Sequence, residues 1–170
     1  MFRMILSLVG LALLFGAIGA PASATKTANF CADAEERAVL AKINQYRAGK
    51  GRKALALTQT LGAAADHHSV QMAKADYFSH TLLGGVSWDK NIRNHGYTFN
   101  TARGENIAAG HADADTTFLQ WKGSPEHNKN MLDPDYKAIG IGRAYDAGSR
   151  YGWYWTTVFG GVVDAAARTC

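Results

Sequence analysis

The sequence predicts an α+β domain with helices first and a β-hairpin last. Two observations carry that reading. Apolar residues recur at helical spacing early in the chain, as in Val39, Leu40, Ile43 and Tyr46. Toward the C-terminus the period becomes two: Ile139 and Ile141 alternate with glycines, and Tyr151, Trp153, Trp155, Thr157 and Phe159 alternate along an aromatic run. A hairpin of this kind needs helices to cover it, which places the chain among single-core mixed domains. A length of 170 residues suits one such core.

The first residues stand apart. Arg3 gives a positive start, an apolar run follows, and Ala22-Ser23-Ala24 has the small-residue pattern of a cleavage site. Residues 1–24 read as a secretory signal peptide cut after Ala24, so the mature chain is expected to be secreted or periplasmic and not an integral membrane protein. A retained membrane anchor is the alternative. Cleavage removes one basic residue, Arg3, from 18 basic and 14 acidic ones, which leaves a net charge of +3. No basic stripe is present, so nucleic acid is not an expected partner. The chain has two cysteines, Cys31 and Cys170, near the ends of the mature sequence. In an oxidising compartment a disulfide is the default, and closing so long a loop is worth up to about 4–5 kcal/mol. Free or intermolecular thiols are the alternative.

Between these ends the elements follow in order. Residues 25–37 form an N-terminal segment with Cys31. Asp33 and Glu36 make a capping-box start for a helix that Gly49 ends. Leu61, Ala65, His68 and Met72 mark one face of a second, Ala-rich helix. Residues 79–86 read as a Gly-containing loop. Ser87 caps a short helix closed by Gly96. Residues 97–112 read as irregular or extended. Asp113 or Asp115 opens a helix through Trp121, and Ser124-Pro125 opens another, with Ser as N-cap and Pro at the first position. Asp133-Pro134 stops it. The two alternating runs then form the hairpin across a turn at 145–150, and residues 165–170 are a tail with Cys170.

Six histidines are present. His68 lies on an apolar helix face and reads as a hydrogen-bonded core residue. His67 should face water, His95 suits a helix C-terminus, and His111 lies in a loop. His80 follows the aromatic anchor Tyr77-Phe78 into a Gly-rich loop. Glu105 sits in Arg103-Gly104-Glu105-Asn106, hemmed by glycine and apolar residues, and His127 lies in the first turn of the helix after Ser124. Two imidazoles and a carboxylate would suit a divalent metal, an acid–base pair or a hydrogen-bonded cluster. Spacing alone does not connect these three.

Five motifs do connect them. YFSHT (77–81), GENIAAG (104–110), SPEHNKNML (124–132), IGIG (139–142) and YWTTVFG (154–160) occur in this order. Together with the helices at 43–57 and 61–73, the chain over residues 38–164 resembles the CAP family of cysteine-rich secretory proteins, in its bacterial branch. The resemblance implies an α-β-α sandwich with a central cleft lined by a His/Glu/Glu/His tetrad. His80 matches the first His, Glu105 the Glu of the GEN motif, and His127 the second His. The other Glu has Ser124 as its counterpart here. Glu126, where a Gly is usual, either takes that role or is an exposed acid at a helix N-terminus.

Function is then argued from the site, since no single reaction unites the family. The leading expectation is a binding module. His80 and His127, with Glu105 directly or through water, would hold Zn²⁺ or Mg²⁺ weakly, and the cleft would recognise a lipid, an envelope component or another ligand. Trp121, Tyr77 and Tyr97 are candidate aromatic walls. The alternative is a hydrolase, either through metal-bound water with Glu105 as base or through Ser124 or Ser79 with a His and Glu105. No GxSxG or HExxH motif favours it. A purely structural tetrad is the third reading.

Overall fold

The computed structural model describes residues 30–170. Its elements run β1 (Cys31–Ala32), α1 (Ala34–Gly49), β2 (Ala56–Leu57), α2 (Gln59–Lys74), β3 (Thr81–Leu82), β4 (Val86–Ser87), α3 (Trp88–Asn94), β5 (Arg103–Ala109), α4 (Ala114–Gly123), α5 (Pro125–Leu132), β6 (Ala138–Tyr145), β7 (Trp153–Gly160) and β8 (Arg168–Thr169). The signal peptide read over residues 1–24 lies outside the described residues.

Local chemistry sets the helix starts. Asp33 and Glu36 form the expected reciprocal capping box on α1. Ser87 accepts from Lys90 N–H at the start of α3, and Asp113 accepts from Thr116 N–H at the start of α4. α5 differs from expectation in one detail. Ser124 occupies the N-cap position and Pro125 the first turn, but the Ser124 hydroxyl caps nothing, and its carbonyl accepts from Asn128 N–H instead.

β6 and β7 form the predicted antiparallel hairpin at the centre of a four-stranded sheet of order β2-β6-β7-β5. β5 joins β7 antiparallel, and two-residue β2 joins β6 parallel. Glu105 therefore lies on a regular edge strand rather than in an irregular segment. β5 is buried through its middle on both faces, so its residues do not alternate between apolar and polar and the strand escapes period-two reading.

Helices cover both faces of the sheet. On one face α2 lies on β6 and β7. Leu61, Ala64 and Ala65 meet Ala138 and Val158, while Met72 and Ala73 meet Ile107 and Tyr154. Gly140 and Gly142 make this approach possible: a Cβ on Gly140 would sit 2.0 Å from the Leu61 carbonyl carbon, and one on Gly142 2.2 Å from Asp66 N. On the other face α1, α4 and α5 bury Val39, Ile43, Trp121 and Met131 against Ile139, Ile141, Trp155 and Phe159. The result is the α-β-α sandwich. Buried Arg47 ties α1 to this layer, donating to the carbonyls of Lys53, Met131, Asp133 and Tyr136. Parallel pairing of β1 with β8 brings the ends together, and Cys31 and Cys170 form a disulfide with 5.0 Å between their Cα atoms. Among the described residues no helix is long and apolar enough to cross a membrane.

Candidate functional site

Residues from both helical layers meet beside the outer edge of β5. The cleft there has a volume of about 420 Å³ and is lined by His80, Trp88, Arg103, Gly104, Glu105, Glu126, His127 and Asn130. His80 comes from the loop after α2 and Trp88 from the start of α3. Arg103 to Glu105 form the strand side. The first turn of α5 contributes Glu126 and His127.

Glu105 is the centre of the site. Its Oε1 lies 2.7 Å from His80 Nδ1 and its Oε2 lies 2.7 Å from His68 Nδ1. His68 is wholly buried, and its Nε2 lies 3.0 Å from the carbonyl oxygen of Ser79. A carbonyl only accepts, so His68 Nε2 carries a hydrogen. His80 is the exposed member, with 50% of its side chain open to solvent. Its Nδ1 faces Glu105, and the residue lines the cleft. The hydrogen bond to Glu105 raises the pKa of His80 above its usual value, against the opposing pull of burial.

His127 is held differently. Its backbone carbonyl accepts from Asn106 Nδ2 at 3.0 Å, but its ring Nδ1 is buried with no hydrogen-bond partner among the described residues. Burial lowers the pKa of His127, the nearby positive charge of His80 lowers it further, and Glu126 opposes both. The cleft therefore pairs an imidazole that favours its charged form with one that favours its neutral form. Asn130 locks the two layers together by donating to the carbonyl oxygen of Glu105 at 3.1 Å and to Asn106 Oδ1 at 2.8 Å.

The structure brings His80, Glu105, His127 and Glu126 to one cleft. Glu126 is exposed in the first turn of α5, so it is both an acid at a helix N-terminus and a wall of the cleft. Ser124 is not part of the lining, and neither its hydroxyl nor that of Ser79 hydrogen-bonds an imidazole among the described residues; Ser79 Oγ accepts from Thr81 N–H. Two of the expected aromatic walls are elsewhere. Trp121 is buried in the α1 layer, donating to the carbonyl oxygen of Ile107, and Tyr97 is buried in the α2 layer, donating to the carbonyl oxygen of Val162. Tyr77 packs against the cluster of Met72 and Ile107. The aromatic wall is Trp88, which sequence reading treated only as the start of a helix. His68 was recognised as a core histidine, but its attachment to the cleft acid was not. His67 is not simply in water: its Nδ1 lies 2.9 Å from Asn91 Oδ1 and its Nε2 lies 3.2 Å from Gln71 Nε2.

Residues 40–159 match the sequence profile of the cysteine-rich secretory protein family, CAP. The chain belongs to the CAP family. Among curated relatives, the uncharacterised protein YkwD of Bacillus subtilis (strain 168) is 34% identical over 129 residues, covering 72% of this chain and 49% of YkwD. The uncharacterised membrane protein YlbC of the same organism is 31% identical over 107 residues, covering 63% of this chain and 31% of YlbC. The chain thus spans about half and about a third of these curated relatives. Among solved structures, an outer surface protein of Borrelia burgdorferi superposes with a TM-score of 0.67 at 21% identity, over 74% of this chain and 91% of that one. An extracellular SCP-domain protein of Bacillus anthracis str. Ames gives a TM-score of 0.66 at 27% identity, over 74% of this chain and 39% of that one.

The CAP cleft can be tested as a metal site on its own donors. Both oxygens of Glu105 are taken by imidazoles, so its fit is as the outer partner that orients His80, an arrangement common behind zinc-bound histidines. His80 Nε2 and the His127 ring remain as nitrogen donors, and Glu126 is the remaining acid of the cleft. Among the described residues no three His, Cys, Asp or Glu side chains are arranged as a ready metal group. A metal held here would have His80 and His127 as the imidazoles lining the cleft and would keep open positions besides.

Proposed function

We propose that this chain is an exported CAP-domain binding protein whose cleft takes a divalent cation between His80 and His127 and recognises a cell-envelope component or a similar extracellular ligand. The observation that supports the metal reading is the fixing of His80 Nδ1 by Glu105 in a cleft that His127 also lines. Two imidazoles favour Zn²⁺ over Mg²⁺, which prefers all-oxygen ligands. A site with so few protein ligands leaves positions for water or for ligand atoms. Export is supported by the signal-like N-terminal sequence and by the Cys31–Cys170 disulfide, which suits an oxidising compartment. Hydrolysis is the less supported alternative, since neither candidate serine is engaged by an imidazole.

A thermal melt tests the metal reading. The disulfide-intact protein is heated with Zn²⁺ and with EDTA, beside His80→Ala and His127→Ala. A ligand that binds only the native state raises its stability by an amount set by concentration over Kd. The midpoint should rise with Zn²⁺ in the wild type and stay put in both variants. A wild-type midpoint indifferent to Zn²⁺ removes the metal and leaves a metal-free binding cleft.

A further inference from the structure

The edge of β5 indicates the shape of ligand that the cleft accepts. Gly110 N–H bonds the Trp153 carbonyl, and the register continues through Ala108↔Trp155, Asn106↔Thr157 and Gly104↔Phe159. In an antiparallel ladder, residues alternate between bonding the neighbour and pointing away from it. The backbone groups of Arg103, Glu105 and Ile107 therefore point outward, off the sheet.

Part of this edge is closed by side chains. Trp121 covers the Ile107 carbonyl and Asn130 covers the Glu105 carbonyl. Such capping is how edges avoid pairing with other chains. The stretch from Arg103 to Glu105 is different. The register turns the Arg103 N–H, the Arg103 carbonyl and the Glu105 N–H away from β7, and among the described residues no side chain, turn or loop group is seen to bond them. This same stretch forms the strand side of the cleft. Main-chain groups left at strand spacing beside the cleft match the pattern that an added strand would bond.

We propose that the cleft binds an extended peptide, which adds a strand to the outer edge of β5 by bonding Arg103 and Glu105. The inference rests on reading this cleft as the ligand site and names the ligand class. Side chains alternate along a strand, so those of the added peptide fall in turn toward His80 and Trp88 on one side and toward Asn130 and His127 on the other. Trp88 gives an apolar subsite, and the main-chain bonds hold the peptide with little regard for its sequence.

The test uses a displayed library of short random linear peptides, selected on the wild-type protein with Zn²⁺ and again with EDTA. The tightest binder is then N-methylated at each backbone position in turn. Methylation should weaken binding by about tenfold at alternate positions and change little between them, because only every second amide faces β5. Amide hydrogen exchange at Glu105 should slow when the peptide is bound. Failure to select any binder, methylation losses without alternation, or an unchanged Glu105 amide would each overturn the proposal. These failures are separable from failure of the metal reading, which shows as peptide selection indifferent to EDTA together with a Zn²⁺-insensitive melt.

Discussion

Glu105 and His68 meet at 2.7 Å with 1% and 0% of their side chains exposed, so the acid of the cleft is anchored from the core. On the other side the same carboxylate holds His80, which is half exposed. Removing one partner from a buried pair strands the other, at a cost of about 3–5 kcal/mol. Losing a solvent-exposed partner costs less than about 1 kcal/mol. His68→Ala should therefore destabilise the fold severely and His80→Ala only slightly. Urea unfolding of the two variants measures the difference, and equal losses would contradict the anchoring role of His68.

The two cleft histidines should titrate in opposite directions from 6.5. For His80 the folded-state value is raised. Its contribution to stability is complete below 6.5 and disappears as pH rises through the folded value. For His127 the folded-state value is lowered. Its contribution is complete above 6.5 and disappears as pH falls through the folded value. Following the imidazole C2–H signals by NMR gives both values, and midpoints on the same side of 6.5 would contradict this arrangement. Zn²⁺ binding should also weaken on acidification, since the metal must displace the proton of His80.

Glu36 carries a second pH dependence, remote from the cleft. Its carboxylate accepts from the backbone N–H groups of Asp33 and Arg143. Burial raises its pKa from 4.5 to about 7. The folded state then binds the proton more tightly than the unfolded chain, so the stabilisation present below 4.5 is lost as pH rises to about 7. Wild type should lose stability relative to Glu36→Gln across that interval. Thermal midpoints measured against pH decide it, and parallel curves would mean that Glu36 ionises as it does in the unfolded chain.

Gly142→Ala should be among the costliest single-methyl changes in the protein. The new Cβ would meet the backbone of Asp66 and Ala65 on α2, which cannot swing aside as a side chain would. Overpacking of this kind costs roughly 1–3 kcal/mol, and backbone contacts this close put Gly142→Ala at the upper end. The same change at Gly49, where a Cβ meets nothing within 4 Å, should leave stability nearly unchanged. A chemical-denaturation midpoint for each variant is sufficient, and a tolerated Gly142→Ala would show that α2 can lift from the sheet.

Much of the fold was legible because its cues are local. Asp33 with Glu36, Ser87 and Asp113 each announce a helix within one turn, and the aromatic alternation of β7 announces a strand. What failed to show was non-local or lacked a period. β5 is buried on both faces and carries no alternation. β2 is two residues long, and its parallel pairing with β6 depends on chain folding rather than on its own composition. For the site, family motifs brought His80, Glu105 and His127 together, whereas the attachment of His68 to Glu105 joins residues 37 apart in sequence. The aromatic walls were misplaced because Trp121 and Tyr97 look alike from sequence whether they face a cleft or a core. Only the packed layers separate them from Trp88.

Parallel pairing of β1 with β8 and the Cys31–Cys170 bond also determine how the domain responds to mechanical force. Tension applied at residue 31 and at residue 170 passes through one covalent link between neighbouring strands. It does not travel along the hydrogen-bonded ladders of β5, β6 and β7. A tether pulling on both ends would leave the sheet unstrained and the cleft geometry intact until that link is reduced. After reduction, the same pull would reach the helices and strands in between, and the redox state of a single bond would decide whether the domain holds or unravels.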